Sequence, residues 1–212
     1  MDFRGQVVLL TGGAGTGKST LSKVLSEALN PLHRVDFGQL LLDRKIGQGM
    51  SSLTYEDLRR DSSRLITAAD VRAVDEDLLV TLPALRRRAN VLIDSHAVTK
   101  EPFGYRVTHY SLDQLKRLSL DAVFVTYCDP AELVMRVRED PKGRPPISEF
   151  EALHYMALQE GVAINYAIAC GCPCYFLRTG DRSAEDVASE ILRLLSAARE
   201  SSPGSGEENE SR

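Results

Sequence analysis

Near the start of the chain, Gly12-Gly13-Ala14-Gly15-Thr16-Gly17-Lys18-Ser19 fits the pattern G-x-x-x-x-G-K-[ST]. The chemistry open to such a stretch is the grip of a polyphosphate. Its glycines permit positive φ, so that successive backbone N–H groups curl inward around an anion. A helix beginning near Gly17 aims its positive dipole end at the same point. Lys18 can then reach the β- and γ-phosphates, and the Ser19 hydroxyl can serve Mg²⁺, with Thr20 closing the loop. The flanks agree with this reading. Val7-Val8-Leu9-Leu10 has the character of a buried strand, and Leu21, Val24, Leu25 and Ala28 recur at helical spacing. Strand, glycine loop and helix in that order imply a nucleoside triphosphate site, with ATP and Mg²⁺ as its expected occupants.

Two further groups bear on phosphate chemistry. Asp94 ends the apolar run Asn90-Val91-Leu92-Ile93, where a Walker-B-type carboxylate would hold the water shell of Mg²⁺. Downstream, Arg136, Arg138, Lys142 and Arg144 gather around Pro141, Gly143, Pro145 and Pro146, the composition of a mobile phosphate clamp. Arginine suits that task because its planar fork stays charged and bridges phosphate oxygens in pairs. The N-K-x-D guanine reader of regulatory GTPases is absent from the sequence, as is the signature segment of transporter ATPases. Small-molecule kinases remain, which hold ATP on the loop, seat an acceptor beside it and close a basic lid over both. A phosphate acceptor is already ionised and needs no strong base. An alcohol needs one, for which Asp36 and Asp94 are the candidates.

These residues need a scaffold. The 212 residues suffice for one sizeable α/β domain, and the net charge of −4 gives no electrostatic footprint for duplex nucleic acid. No run has the length of a membrane span and the start lacks a signal-peptide pattern, so the expectation is a soluble, cytoplasmic protein. Strands and helices alternate, which predicts a parallel sheet covered on both faces. The strands are expected at Val7–Leu10, Leu32–Asp36, Asn90–Asp94, Ala122–Tyr127 and Pro173–Leu177. Helices are expected over 37–48, from Thr54 to Arg64 behind a Thr54/Asp57 capping box, over 68–88 with a bend at Pro83, and over 112–118. Others follow from Asp129-Pro130 to Arg138, from Ser148 to Ala169 behind a Ser148/Glu151 box, and over 184–198. Ser95 to Ser111 reads as a polar and aromatic loop too long to be mere connection. One domain over 1–200 results, with a disordered tail over 201–212. The cysteines Cys128, Cys170, Cys172 and Cys174 read as reduced core packing, because C-x-C-x-C lacks the second distant pair of a zinc site.

Several segments, in this order, resemble the archaeal-type adenylate kinases, a branch of the nucleoside monophosphate kinases. They are the glycine loop; Val35-Asp36-Phe37-Gly38; Tyr55-Glu56-Asp57-Leu58-Arg59; Val91-Leu92-Ile93-Asp94-Ser95-His96; and Thr99-Lys100-Glu101-Pro102-Phe103-Gly104-Tyr105. The resemblance implies a three-layer P-loop fold on a five-stranded parallel sheet, an acceptor-binding segment over about 37–88 and a short mobile lid over about 137–147. It implies that Phe37-Gly38 lie against the acceptor nucleoside and that Arg59 holds its phosphate. Asp94 and His96 would face the junction of the two phosphates, Lys100 would neutralise charge there, and Arg136, Arg138 and Arg144 would come from the lid. The implied activity is γ-phosphoryl transfer from Mg-ATP to a nucleoside monophosphate, AMP foremost, in a protein that can be oligomeric. This chain departs from many family members in keeping Lys18. It is also polar at Arg106-Val107-Thr108-His109-Tyr110, where Arg106 and His109 could bind a different phosphate or hydroxyl. Two other readings stay open: a kinase of another small molecule, including antibiotic-modifying types, and a nucleotide-gated ATPase or assembly protein.

Overall fold

A computed structural model describes residues 4–101, 103–140 and 146–201, with the side chains of Arg59, Ser63 and residues 199–201 outside that description. The strands β1 (Val7–Gly12), β2 (Leu32–Asp36), β3 (Asn90–Asp94), β6 (Ala122–Tyr127) and β7 (Cys174–Arg178) form one parallel sheet in the order β2-β3-β1-β6-β7. Alternation along β1 explains the layering, since successive side chains leave a strand on opposite faces. Val7 and Leu9 join Val91, Ile93, Val123 and Val125 on one face. Val8 and Leu10 join Leu92, Ala122 and Phe124 on the other.

Each face is then covered by helices whose apolar stripes match it. Leu78, Leu79 and Leu82 of α4 (Ala68–Arg86), Leu115 and Leu118 of α5 (Leu112–Leu118), and Ala163, Tyr166 and Ala167 of α7 (Glu149–Cys170) cover the first face. Leu21 and Leu25 of α1 (Lys18–Ala28), with Val187, Ala188, Ile191 and Leu195 of α8 (Ala184–Ser201), cover the second. Burial on both sides is why these strands read as continuous apolar runs.

Three helices lie outside these two layers. Helix α2 (Phe37–Gly47) packs on α4, and α3 (Tyr55–Leu65) on α2, around a small apolar cluster of Leu42, Leu58 and Ile66. The expected Thr54/Asp57 capping box is formed, although α3 carries a break at Asp61 (φ −135°, ψ 35°). Helix α6 (Pro130–Arg138) is capped by Asp129 and packs on α7 through Leu133, Val137, Ala152 and Met156.

The segment 95–111 is not a loop. Val98–Glu101 (β4) and Gly104–Val107 (β5) pair as an antiparallel hairpin, Val98 opposite Val107 and Glu101 opposite Gly104. Its charges conceal it in the sequence, because Glu101 and Arg106 occupy diagonal positions on one face and pair at 3.0 Å. Val98 is fully buried, and Gly104 takes φ +139°, which few other residues would accept. The other boundaries move little: α4 ends at Arg86 and β7 runs from Cys174 to Arg178. Pro83 lies inside α4. Cys128 is buried with α6 and α7, and Cys170, Cys172 and Cys174 pack at the edge of the larger core as free thiols. The tail over 202–212 lies outside the described residues.

Candidate active site

The loop between β1 and α1 is shaped by close approach. Gly12 has φ +140°, and a Cβ there would stand 2.4 Å from the Thr126 carbonyl oxygen on the neighbouring strand. Gly15 (φ +96°) and Gly17 (φ +89°) are left-handed as well, and Gly17 is the residue that opens α1. Thr16, fully buried, donates its hydroxyl to the Gly13 carbonyl at 2.7 Å. The Thr179 hydroxyl fixes the Thr16 carbonyl from β7's end at 2.8 Å. Lys18 folds back along the loop and donates to the carbonyls of Gly12 (2.7 Å) and Gly13 (3.1 Å). Ser19 and Thr20 are exposed and line the cleft above the sheet. From below, Tyr155 of α7 accepts a hydrogen bond from the Ala14 N–H and donates to the Val98 carbonyl, each at 3.3 Å.

Two carboxylates stand side by side where β2 and β3 end, because Asp36 and Asp94 are register partners. Arg34, two residues back on β2, bridges them at 2.9 Å (Asp36) and 3.1 Å (Asp94). Asp36 also caps α2 through the Gln39 N–H and accepts from the Tyr55 hydroxyl at 3.1 Å. That contact explains Gly38, where a Cβ would lie 2.6 Å from the Tyr55 oxygen. Ser19, Asp94 and Asp36 offer Mg²⁺ a few hard oxygen ligands, which suits an ion that keeps most of its water. Among the described residues no group of three or more His, Cys, Asp and Glu gathers in metal-binding geometry.

The hairpin presents the cations. Lys100 pairs with Glu151 at 2.9 Å and reaches the Pro146 carbonyl at 3.2 Å. The Ser148 backbone N–H, then the Lys100 ammonium, hold the Glu151 carboxyl at about 2. Tyr105 stacks on Tyr155 with ring centroids 5.5 Å apart and donates to the Glu151 carbonyl at 3.0 Å. On α6, Arg136 reaches the Gly15 carbonyl (3.2 Å), the Thr179 carbonyl (3.2 Å) and Glu132 (2.5 Å). Arg60 on α3 pairs with Asp57. The cations Arg60, Lys100, Arg106 and Arg136 are thus held by carboxylates, which phosphate oxygens can replace.

Lys18, Ser19, Asp36, Asp94, Arg60, Lys100, Tyr105, Arg136 and Tyr155 line one cleft of about 1000 Å³, large enough for two ligands end to end. The glycine loop, Arg136 and a side groove of about 330 Å³ bounded by Thr179, Arg182 and Ser183 form one end. The other end is apolar, walled by Phe37, Leu41, Leu58, Ile66, Val71 and Tyr166. The carboxyl of Asp75 on α4 also lines the cleft, buried at 4% exposure, while Asp61 of α3 lines it nearer the surface. Burial pushes the Asp75 carboxyl up to about 7, while the neighbouring Tyr110 hydroxyl acts in the opposite direction.

Of the residues singled out in the sequence, Lys18, Ser19, Thr20, Phe37, Gly38, Asp94, His96, Lys100 and Arg136 line this cleft. Arg138 is exposed on α6 and is not among the lining residues, since Arg136 and Val137 take the inward positions of that turn. Arg144 and the rest of lid residues 141–145 lie outside the described residues, as does the side chain of Arg59. Its neighbour Arg60 lines the cleft. Arg106 lines it too, whereas exposed His109 does not. Sequence reading missed Arg34, Asp75, Tyr110 and Tyr155. Arg34 shares a strand face with Asp36, but its bridge to Asp94 follows only from the register of β2 against β3. The others read as ordinary helix and loop residues until the chain is folded.

Strand, glycine loop and helix therefore close on a cleft at the carboxyl ends of a parallel sheet, and a family model for an AAA domain, AAA_17, matches residues 11–152. The chain belongs to this AAA-domain family. No curated protein matches the AAA-domain chain in sequence. Solved structures share its fold at low identity. A shikimate kinase from Acinetobacter baumannii in complex with shikimate is 18% identical, with a TM-score of 0.55 over 91% of this chain and 94% of that one. A thymidylate kinase from Candida albicans is 16% identical, with a TM-score of 0.56 over 92% and 93%. The tunicamycin resistance protein of Deinococcus radiodurans is 12% identical, with a TM-score of 0.58 over 91% and 96%. The fold is that of the P-loop kinases. No helix among the described residues is long and apolar enough to cross a membrane.

Proposed function

We propose that this AAA-domain chain is a P-loop phosphotransferase of the nucleoside monophosphate kinase type, moving the γ-phosphoryl group of Mg-ATP to a nucleoside monophosphate, AMP foremost. The supporting observation is the single cleft that joins the glycine loop to an apolar compartment, with Lys18, Lys100, Arg60 and Arg136 on its walls. The loop amides between Gly12 and Thr20 hold the donor phosphates, and Arg136 with the Thr179–Ser183 groove takes the donor base. Lys18 leaves its carbonyl partners for the β- and γ-phosphates. Ser19 and Asp94 would hold Mg²⁺, which would offset the charge of the donor phosphates. Lys100 and Arg60 hold the acceptor phosphate in line with the transferred group, and the lid arginines, Arg144 among them, supply the remaining positive charge. Catalysis by this route is positioning and electrostatics, with little covalent work for the protein.

An alcohol acceptor is the second reading, and one observation favours it. Asp36 lines the cleft as a carboxylate beside Asp94, placed to take a hydroxyl proton. Incubating the purified protein with Mg-ATP and a panel of AMP, CMP, GMP, dTMP and shikimate, then measuring ADP release, separates the two. AMP-dependent ADP formation is expected. Lys18→Ala should lower kcat/KM by roughly 10²–10³-fold, as loss of a preorganised charge donor does. Acceptor-independent hydrolysis alone, or a Lys18→Ala protein with unchanged Mg-ATP affinity and turnover, would overturn the proposal.

A further inference from the structure

The apolar end of the cleft has a polar floor that the phosphate chemistry does not use. Asp75 and Tyr110 are 4% and 8% exposed, and both line the cleft among aliphatic and aromatic walls. The Tyr110 hydroxyl lies beside the Asp75 carboxyl, yet makes no well-formed hydrogen bond among the described residues. Tyr110 is held in place from elsewhere: its backbone N–H donates to the Tyr166 hydroxyl at 3.2 Å, and the two rings meet at 5.6 Å. Among the described residues the buried Tyr110 hydroxyl lacks a well-formed partner, and the Asp75 carboxyl beside it belongs to a residue that lines the cavity; a ligand edge carrying both a donor and an acceptor would complete the pair.

The surroundings narrow the ligand. A polyhydroxylated ring needs polar partners around its whole rim; here Phe37, Leu41, Leu58, Ile66 and Val71 supply apolar wall, and the polar lining from α3 is confined to Tyr55, Arg60, Asp61 and Ser62. A flat heteroaromatic base fits apolar walls and one polar edge. We infer that Asp75, with Tyr110, reads the base of the acceptor through an edge carrying a ring-nitrogen acceptor beside an exocyclic amino donor, as adenine and cytosine have. A neutral carboxyl offers one donor and one acceptor side by side and matches such an edge, whereas an ionised carboxylate would demand two donors. Burial holds the Asp75 carboxyl in its neutral form to a higher pH than usual, which agrees with the first pairing.

This inference rests on the nucleoside monophosphate reading, and the experiment separates their failures. The acceptor panel is extended with purine riboside 5′-monophosphate, which lacks the 6-amino group, and kcat/KM is measured for Asp75→Leu, Asp75→Asn and Tyr110→Phe, with Mg-ATP affinity recorded for each. Wild type should prefer AMP over purine riboside 5′-monophosphate by about 100-fold or more, as sites built to hydrogen-bond a group reject the analogue without it. Asp75→Leu should collapse that preference to within about 3-fold while Mg-ATP affinity holds, because the lost discrimination is that of one polar edge. Asp75→Asn should retain the preference, since an amide also presents a donor beside an acceptor. An undiminished preference in Asp75→Leu, or GMP as the best acceptor, would overturn the inference and leave the kinase reading intact. If no nucleoside monophosphate accepts phosphate, both fall.

Discussion

Asp36 does several things at once. It caps α2, accepts from Tyr55 and shares Arg34 with Asp94. An asparagine there keeps a cap oxygen and gives up the charge, so Asp36→Asn isolates the basic function from the structural one. With a phosphate acceptor, kcat should fall by no more than about 10-fold, whereas an alcohol acceptor deprived of its base should lose about 10²–10⁴-fold. Steady-state kinetics with the best acceptor decide the matter. The same residue shows where sequence reading reaches its limit. Asp36 was visible as a strand-end carboxylate, and Lys18, Ser19 and Asp94 were fixed by pattern and position. Arg34 was not, because its role arises from the register of β2 against β3, which no local spacing encodes.

Among the elements, α2 and α4 are joined by a buried ion pair. Lys45 meets Asp70 at 2.6 Å, and both side chains are less than a tenth exposed. Burial of Asp70 opposes its ionisation, but Lys45 and the Thr67 cap outweigh it and hold the carboxyl well below the usual 3.8. A depressed carboxyl contributes stability above its unfolded value, and that contribution fades as pH falls below about 4. Lys45→Ala leaves a buried carboxylate short of its main partner and should cost about 3–5 kcal/mol in urea unfolding at pH 7. The loss should shrink toward pH 3, and Asp70→Asn in the same background should recover part of it. Because α2 carries Phe37 and Gly38, the weakened clamp should also loosen that wall of the cleft. The elements themselves were mostly legible: capping boxes at Thr54 and Ser148 and the Asp129-Pro130 start sit where the sequence puts them. The β4–β5 hairpin was not legible, because its short strands carry charges whose pairing appears only in the folded sheet.

For the molecule as a whole, the strand order places β1 between β3 and β6, so the loop after β1 opens at the centre of the sheet's carboxyl edge. Ligands of open α/β sheets bind at such a crevice, and the sequence could announce the loop but not the order of its neighbours. The order brings the hairpin, α7 and the glycine loop to one place. Tyr155 touches all three: it stacks on Tyr105, donates to Val98 and accepts from the Ala14 N–H. A single phenol ring thus acts as a hinge pin between the hairpin side of the cleft and the glycine loop. The two substrates should therefore assist one another, each tightening the other's hold by a common factor, as reciprocity between coupled sites requires. Removing the oxygen in Tyr155→Phe cuts the pin while leaving the ring. Calorimetric titration of one ligand in the presence of the other should then find the two halves of the cleft deaf to each other, each keeping its own grip.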